Sequence, residues 1–173
     1  MDIWRILPDS GRAHWELDPF KSVGPLRFGM PAYEASSLLA EVIAYPPDEY
    51  KHSWPQRHKG YGRSSVKLYC CSGRLQGVSV EALRGPQVYA AGRPLVAQVP
   101  SEIDEWIEQR AVSRGKDEEI AYLGTADIVS RTLGAAFCIQ RARDRLITRP
   151  VFLSDPRMED VHHLLPSEAW DFF

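Results

Sequence analysis

In the stretch "VGPLRFGMPAYEASSLL", Val23 to Leu39, a proline follows a glycine by two residues and fixes what the chain can do on either side. Proline locks its own φ near −65° and has no N–H to donate, so Pro31 suits the first turn of a helix and no position deeper inside one. Downstream, Ala32, Ala35, Leu38, Leu39 and Val42 recur at steps of three and four, which is one apolar helix face. The spacing predicts an amphipathic helix that Pro46-Pro47 ends. Upstream, Pro25-Leu26-Arg27-Phe28 is brief and extended. The chain must therefore change from extended to helical within three residues.

After this helix the apolar period falls to two. "VKLYCC" and "LQGVSVEAL" read as strands joined at Ser72-Gly73-Arg74, and a glycine in so short a connection marks a hairpin. "QVYAAGRPL" reads as a third strand ending at a glycine turn. A second helix is expected from Ser101, an N-cap with Asp104 three positions on. Ile103, Trp106, Ile107 and Arg110-Ala111 carry its stripe, and Gly115 ends it. "DIVSRTLG", "AAFCIQRA" and "LITRPVFL" then read as three strands with tight connections. Pro150 cannot donate to a ladder, which places the last of them at an edge or a bulge. Trp4, Ile6 and Leu7 form a short apolar start, and "LPSEAWDFF" opens a turn or short helix at Ser167.

The two halves echo each other. "GRLQGVSV", Gly73 to Val80, lies over "DRLITRPV", Asp144 to Val151, with Arg74 over Arg145 and Leu75 over Leu146, 71 residues apart. The same offset lays Glu34 on Glu105, both inside expected helices. The expected fold is α+β, a pseudo-duplicated unit of a helix plus three antiparallel strands. The repeats span about 23–92 and 93–155 of a single globular domain, 1–173. One mainly antiparallel sheet packed by helices holds both, because neither unit alone covers its apolar face.

Composition narrows the function classes. A chain of 173 residues buries a core without staples. The net charge of −2 offers no global field to attract nucleic acid or an anionic membrane, so neither is the expected partner. No run of about 18 apolar residues reads as a membrane span. "MDIWRILPDSGRAHW" has no long apolar signal region, which points to a cytoplasmic location. Cys70, Cys71 and Cys138 give neither a disulfide framework nor a Cys-x-x-Cys zinc pair, and are expected as buried or half-buried thiols.

A phosphate-binding turn converges several backbone N–H groups on an anion. Here Gly24 and Gly29 are separated by Pro-Leu-Arg-Phe, Pro31 removes an N–H, and no Gly-x-Lys-Ser/Thr follows. The expectation is structural. Gly29 permits a turn, Met30 and Phe28 anchor the helix start to the core, and Pro31 presets φ.

"RFGMPAYEA", Arg27 to Ala35, resembles the Gly-Met-Ser/Thr-x-x-Glu-Val helix start of small α+β domains. Those include the β-lactamase inhibitor protein type, a tandem duplication, and the SmpA/OmlA outer-membrane lipoprotein family. The longer "VGPLRFGM" resembles uncharacterised actinobacterial proteins, some of the immunity-protein kind. The likeness covers about a dozen residues and departs at Pro31 and Ala35; the second half has no Gly-Met. It implies a helix on an antiparallel sheet and a role in binding another protein. It names no binding residue, and without a signal peptide or lipobox cysteine the secreted and lipoprotein roles do not carry over.

Candidate surface chemistry concentrates in three places. "KHSWPQRHKGYGR", Lys51 to Arg63, has four basic residues and no acid, with Trp54, Arg57, Tyr61 and Arg63 as the chief candidates for partner binding. The same composition also suits single-stranded nucleic acid by phosphate contact and stacking, or a solvated loop. Arg141, Arg143 and Arg145 alternate around Asp144 near a hairpin tip, where strand spacing would point all three to one face. Guanidinium groups take carboxylates in bidentate fashion. Glu102, Asp104, Glu105 and Glu108, with Asp117, Glu118 and Glu119, make an acidic stretch, read as a solvated helix face or a surface for a basic partner.

No catalytic constellation is visible. His162-His163 near Asp155, Glu159 and Asp160 lacks His-x-x-x-His spacing, no Cys–His signature accompanies Cys70 or Cys138, and no Gly-x-Ser-x-Gly elbow occurs. No cofactor or metal is expected. The sequence therefore points to a non-enzymatic binding module, most specifically an immunity protein or inhibitor that plugs a toxin enzyme. A ligand pocket or enzyme site between the halves, and a scaffold or regulatory subunit, are the other classes left open.

Overall fold

The computed structural model describes residues 4–43, 65–115, 119–123 and 127–155. The described chain is mixed α+β, with two helices and two mainly antiparallel sheets.

The first sheet begins with β1 (His14–Asp18), whose sequence HWELD alternates, so Trp15 is buried while His14, Glu16 and Asp18 face out. β2 (Ser22–Val23) and β3 (Leu26–Arg27) follow as an antiparallel meander. Gly24 sits between them at φ +55°, and a Cβ there would come within 2.5 Å of the Trp15 ring, so the turn closes over the indole only with glycine. β6 (Gln87–Ala90) lies parallel to β1 and forms a hairpin with β7 (Arg93–Pro94), giving the order β3-β2-β1-β6-β7. A parallel neighbour needs a long crossover. Helix α1 (Ala32–Ile43) and the hairpin of β4 (Val66–Cys71) and β5 (Arg74–Val80) lie within it.

The second sheet is antiparallel throughout. It adds β8 (Ile120–Tyr122), β9 (Ile128–Ser130), β10 (Ala135–Ala142) and β11 (Arg145–Leu153) in the order β4-β5-β11-β10-β9-β8. Helix α2 (Pro100–Arg114) ends at Gly115, whose φ is +67° and whose N–H bonds the carbonyls of Ala111 and Val112. One apolar cluster joins Trp15 and Val88 of the first sheet, Val78 and Phe152 of the second, Leu39 of α1 and Ile103 of α2. Burial stabilises each large side chain by roughly 1.5–3 kcal/mol. A second cluster, with Tyr69, Cys138 and Val151, lies on the other face of the six-stranded sheet.

The structure corrects several expectations. There are two sheets rather than one, because "QVYAAGRPL" is itself a hairpin and pairs with β1. Three strands, β1, β2 and β8, were not anticipated. Helix α1 starts at Ala32; Pro31 stands just outside and its carbonyl accepts the first bonds, from Glu34 and Ala35 N–H. Ser101 is not the N-cap of α2. Pro100 takes the first position and Val99 precedes it without a side-chain cap.

Pro150 is in a central strand, between β5 and β10. Alternate N–H groups of β11 point to the β5 side: Thr148 donates to Gln98 O and Ser154 to Gln76 O. Pairing with β5 begins only at Val151, so the missing N–H of Pro150 falls in the gap between two neighbours and costs no ladder bond.

A shift of 71 carries α1 onto 103–114, β4 onto 137–142 and β5 onto 145–151, within α2, β10 and β11. The two hairpins meet different surroundings, and that difference bears on the site.

Candidate functional site

The Gly29-Met30-Pro31 step is consumed by the fold. Gly29, at φ +84°, donates its N–H to Leu75 O at 2.7 Å; Met30 donates to Arg27 O and accepts from Leu75 N–H; Ala32 donates to Gly73 O. Pro31 bridges to Arg74, whose Nη1 donates to Gly29 O at 2.8 Å. The N–H groups of Gly29 and Ala32 are thus spent on the tip of the β4–β5 hairpin and that of Met30 on Arg27 O, and none of the three remains to converge on an anion. Met30 is buried and Phe28 packs on the core beside it. Gly29→Ala meets no atom but forces a side chain to positive φ, so it should cost about 1 kcal/mol of unfolding free energy in urea. An unchanged midpoint would show that the turn does not depend on glycine.

The β10–β11 hairpin carries the counterpart tip. Ala142 pairs with Arg145 and Arg141 with Leu146, which leaves Arg143 and Asp144 as the two turn residues. Arg141, Arg143, Asp144, Arg145 and Leu146 are all exposed. Cross-strand partners share a face, so Arg141 stands with Leu146 on one side and Arg145 with Ala142 on the other. The expectation that all three arginines share one face is therefore corrected: two faces and the apex each carry one. Arg143 adopts φ +55°, and its carbonyl accepts from Arg141 Nε at 2.6 Å, which holds that guanidinium across the turn.

Two further segments flank the tip. Ala142 and Ile147 pack with Ala82, Leu83 and Ile6. The turn Ala82–Gly85 is tied to β10 through Gln140, whose Oε1 accepts from Ala82 N–H at 3.0 Å and whose Nε2 donates to Glu81 Oε1 at 2.6 Å. Arg84 is exposed on that turn, and Arg5 immediately precedes Ile6. Arg12 fastens both segments from inside. Its buried guanidinium donates to Leu7 O, Gly85 O, Ala82 O and Leu83 O at 2.7–3.2 Å. Burial lowers its pKa, against the opposing pull of Asp9 and Glu81. Sequence reasoning missed Arg5, Arg12 and Arg84, which lie far from the tip in the chain and belong to no motif.

Trp54, Arg57, Tyr61 and Arg63 lie outside the described residues, as do His162-His163, Asp117 and Glu118. Glu102, Glu105 and Glu108 are exposed on α2 and Asp104 is half-buried; Tyr122 OH donates to Glu108 Oε1 at 2.9 Å. That bond raises the Tyr122 pKa, while burial and Glu108 raise that of Asp104. No helix among the described residues is long and apolar enough to cross a membrane.

Cys70 and Cys138 are buried thiols. Burial pushes Cys70 up to about 11 and Cys138 up to about 12, in the latter against the opposing influence of its cross-strand neighbour Arg149. Neither is poised as a nucleophile. Native protein at pH 8 should leave both unmodified by iodoacetamide, while unfolded protein is alkylated at both; equal rates in the two states would contradict their burial. An unfolded thiol loses its proton near pH 8.5, well before the folded ones do. Stability is therefore full below about pH 8.5 and falls as pH rises toward 12.

Comparison of the chain with protein-family profiles, curated proteins and solved structures returned no match in any of the three.

Proposed function

We propose that this chain is a non-enzymatic protein-binding module, an immunity protein or inhibitor that blocks a toxin enzyme, and that the β10–β11 tip leads the contact. One comparison within the molecule carries the reading. Arg74, at the start of β5, is spent on Gly29 O, and its hairpin tip is paired to the Gly-Met-Pro step. Arg145, 71 residues on at the start of β11, is exposed beside Arg143 and Leu146. We read the common spacing as a duplication in which the first tip serves the fold and the second is presented outward. Arginine carries much of the energy of protein interfaces, and an exposed leucine among arginines gives an apolar anchor with a charged rim. Trp54, Arg57, Tyr61 and Arg63 are proposed as further partner-binding residues.

The test is affinity capture from the source cell with wild type and an Arg141→Glu/Arg143→Glu/Arg145→Glu variant, after circular dichroism shows equal folding. The expected result is an enzyme retained by wild type, held at least tenfold more weakly by the variant, and inhibited on stoichiometric addition of the chain. Equal retention by both proteins, or full enzyme activity at saturating chain, would refute the reading.

A further inference from the structure

Cations on both faces of a two-stranded ribbon constrain what it can meet. A flat partner touches one face of a ribbon, and a cleft touches two. The register sets Arg141 and Leu146 on one face, Arg145 on the opposite face, and Arg143 at the apex. The Arg145 face is also the side of the Ala82–Gly85 turn and the Ile6 segment, since Ala142 packs with Ala82, Leu83 and Ile6. The turn on that side carries the exposed Arg84, and the exposed Arg5 and Trp4, the latter 38% exposed, precede Ile6 in the chain.

We propose that the tip is a knuckle that enters a protein cleft lined by carboxylates on both walls, with an apolar pocket for Leu146. This rests on the protein-binding reading and names the chemistry of the partner. Charge complementarity carries it: three arginines lie on the tip and the exposed Arg84 and Arg5 belong to the segments that flank it, with Asp144 as the acid in the turn. Each guanidinium is a planar fork that matches a carboxylate, so opposed acidic walls satisfy both faces at once. The knuckle is short. Ala142, the last residue of β10, and Ile147 of β11 are already buried, so the projecting part is Arg143 to Leu146, with Arg141 exposed on the opposite face from Ala142. Leu146, 56% exposed next to Arg145, favours protein over nucleic acid, because a phosphate backbone offers nothing apolar to cover it. Asp144 in the turn further disfavours phosphate.

The probe is a fluorescein-labelled twelve-residue peptide of glutamates with two leucines, titrated into the full chain at low and physiological salt. A glutamine counterpart and a twelve-nucleotide oligothymidine are the comparisons. Saturable, salt-weakened binding of the acidic peptide is expected, with the glutamine peptide silent and the oligonucleotide weaker. Arg141→Glu and Arg145→Glu should each cost at least fivefold, and Arg84→Glu should weaken binding without touching the hairpin. Loss from only one face, tighter binding of the oligonucleotide, or no binding of the acidic peptide would overturn the proposal. If the capture experiment still returns an inhibited enzyme, a failed peptide titration sinks the carboxylate cleft and leaves the protein-binding reading standing.

Discussion

Replacing Arg12 by leucine should cost the fold about 4 kcal/mol, although the residue touches no partner and lies in a turn of no recognisable motif. Its side chain is fully buried and donates to four backbone carbonyls, on Leu7, Ala82, Leu83 and Gly85. Leucine fills part of the volume but supplies no donor; Leu83 O keeps the N–H of Leu7, while the other three carbonyls lose this guanidinium, and buried acceptors without a donor each cost about 1–3 kcal/mol. Removing one member of a buried charged network costs on the order of 3–5 kcal/mol. For a chain of this size that lowers the melting temperature by roughly 8–16 °C.

Arg12→Lys should recover little, because an ammonium on a flexible stem cannot reproduce a planar fork that reaches four carbonyls on two segments. Urea unfolding of both variants is the measurement, and a loss under 1 kcal/mol would mean those carbonyls have another supply. The same residue sets the flanks of the tip. It joins the Leu7 segment to the Ala82–Gly85 turn, which carries Arg84, so Arg12→Leu should also loosen acidic-peptide binding at temperatures where the protein remains folded.

The legible parts of this fold were those with local causes. The helix face after Pro31, the hairpin at Ser72-Gly73 and the turn at Arg143-Asp144 follow from spacing and turn chemistry within a dozen residues. The β1 strand could have been read, since HWELD alternates over five residues. The separation into two sheets was not legible. It depends on β6 pairing in parallel with β1 across more than 60 intervening residues, and no local pattern reports such a pairing.

Pro150 misled for a related reason. A proline inside a strand argues for an edge, yet here the neighbouring partner changes at that residue. At the site, the alternating arginines were visible in the chain. Their distribution over two faces was not, because it follows from a two-residue turn that takes Arg143 out of the strand register. Arg5 and Arg84 join them only through the packing of Ile6 and Leu83 on Ala142 and Ile147.

Arg143 occupies the first turn position at positive φ, where glycine is favoured and a side chain costs about 1 kcal/mol. Keeping an arginine there is intelligible if its guanidinium is used. Glycine relieves the strain, while the freer unfolded chain and the loss of the side chain's own interactions offset that gain, so the net change should stay within about 0.5 kcal/mol. The decisive measurement is Arg143→Gly, followed at once by urea unfolding and by titration of the acidic peptide. The account predicts a protein of nearly unchanged stability that binds the peptide at least fivefold more weakly. A variant that is equally stable and binds as well as wild type would show that the tip is only a turn, and that recognition lies elsewhere.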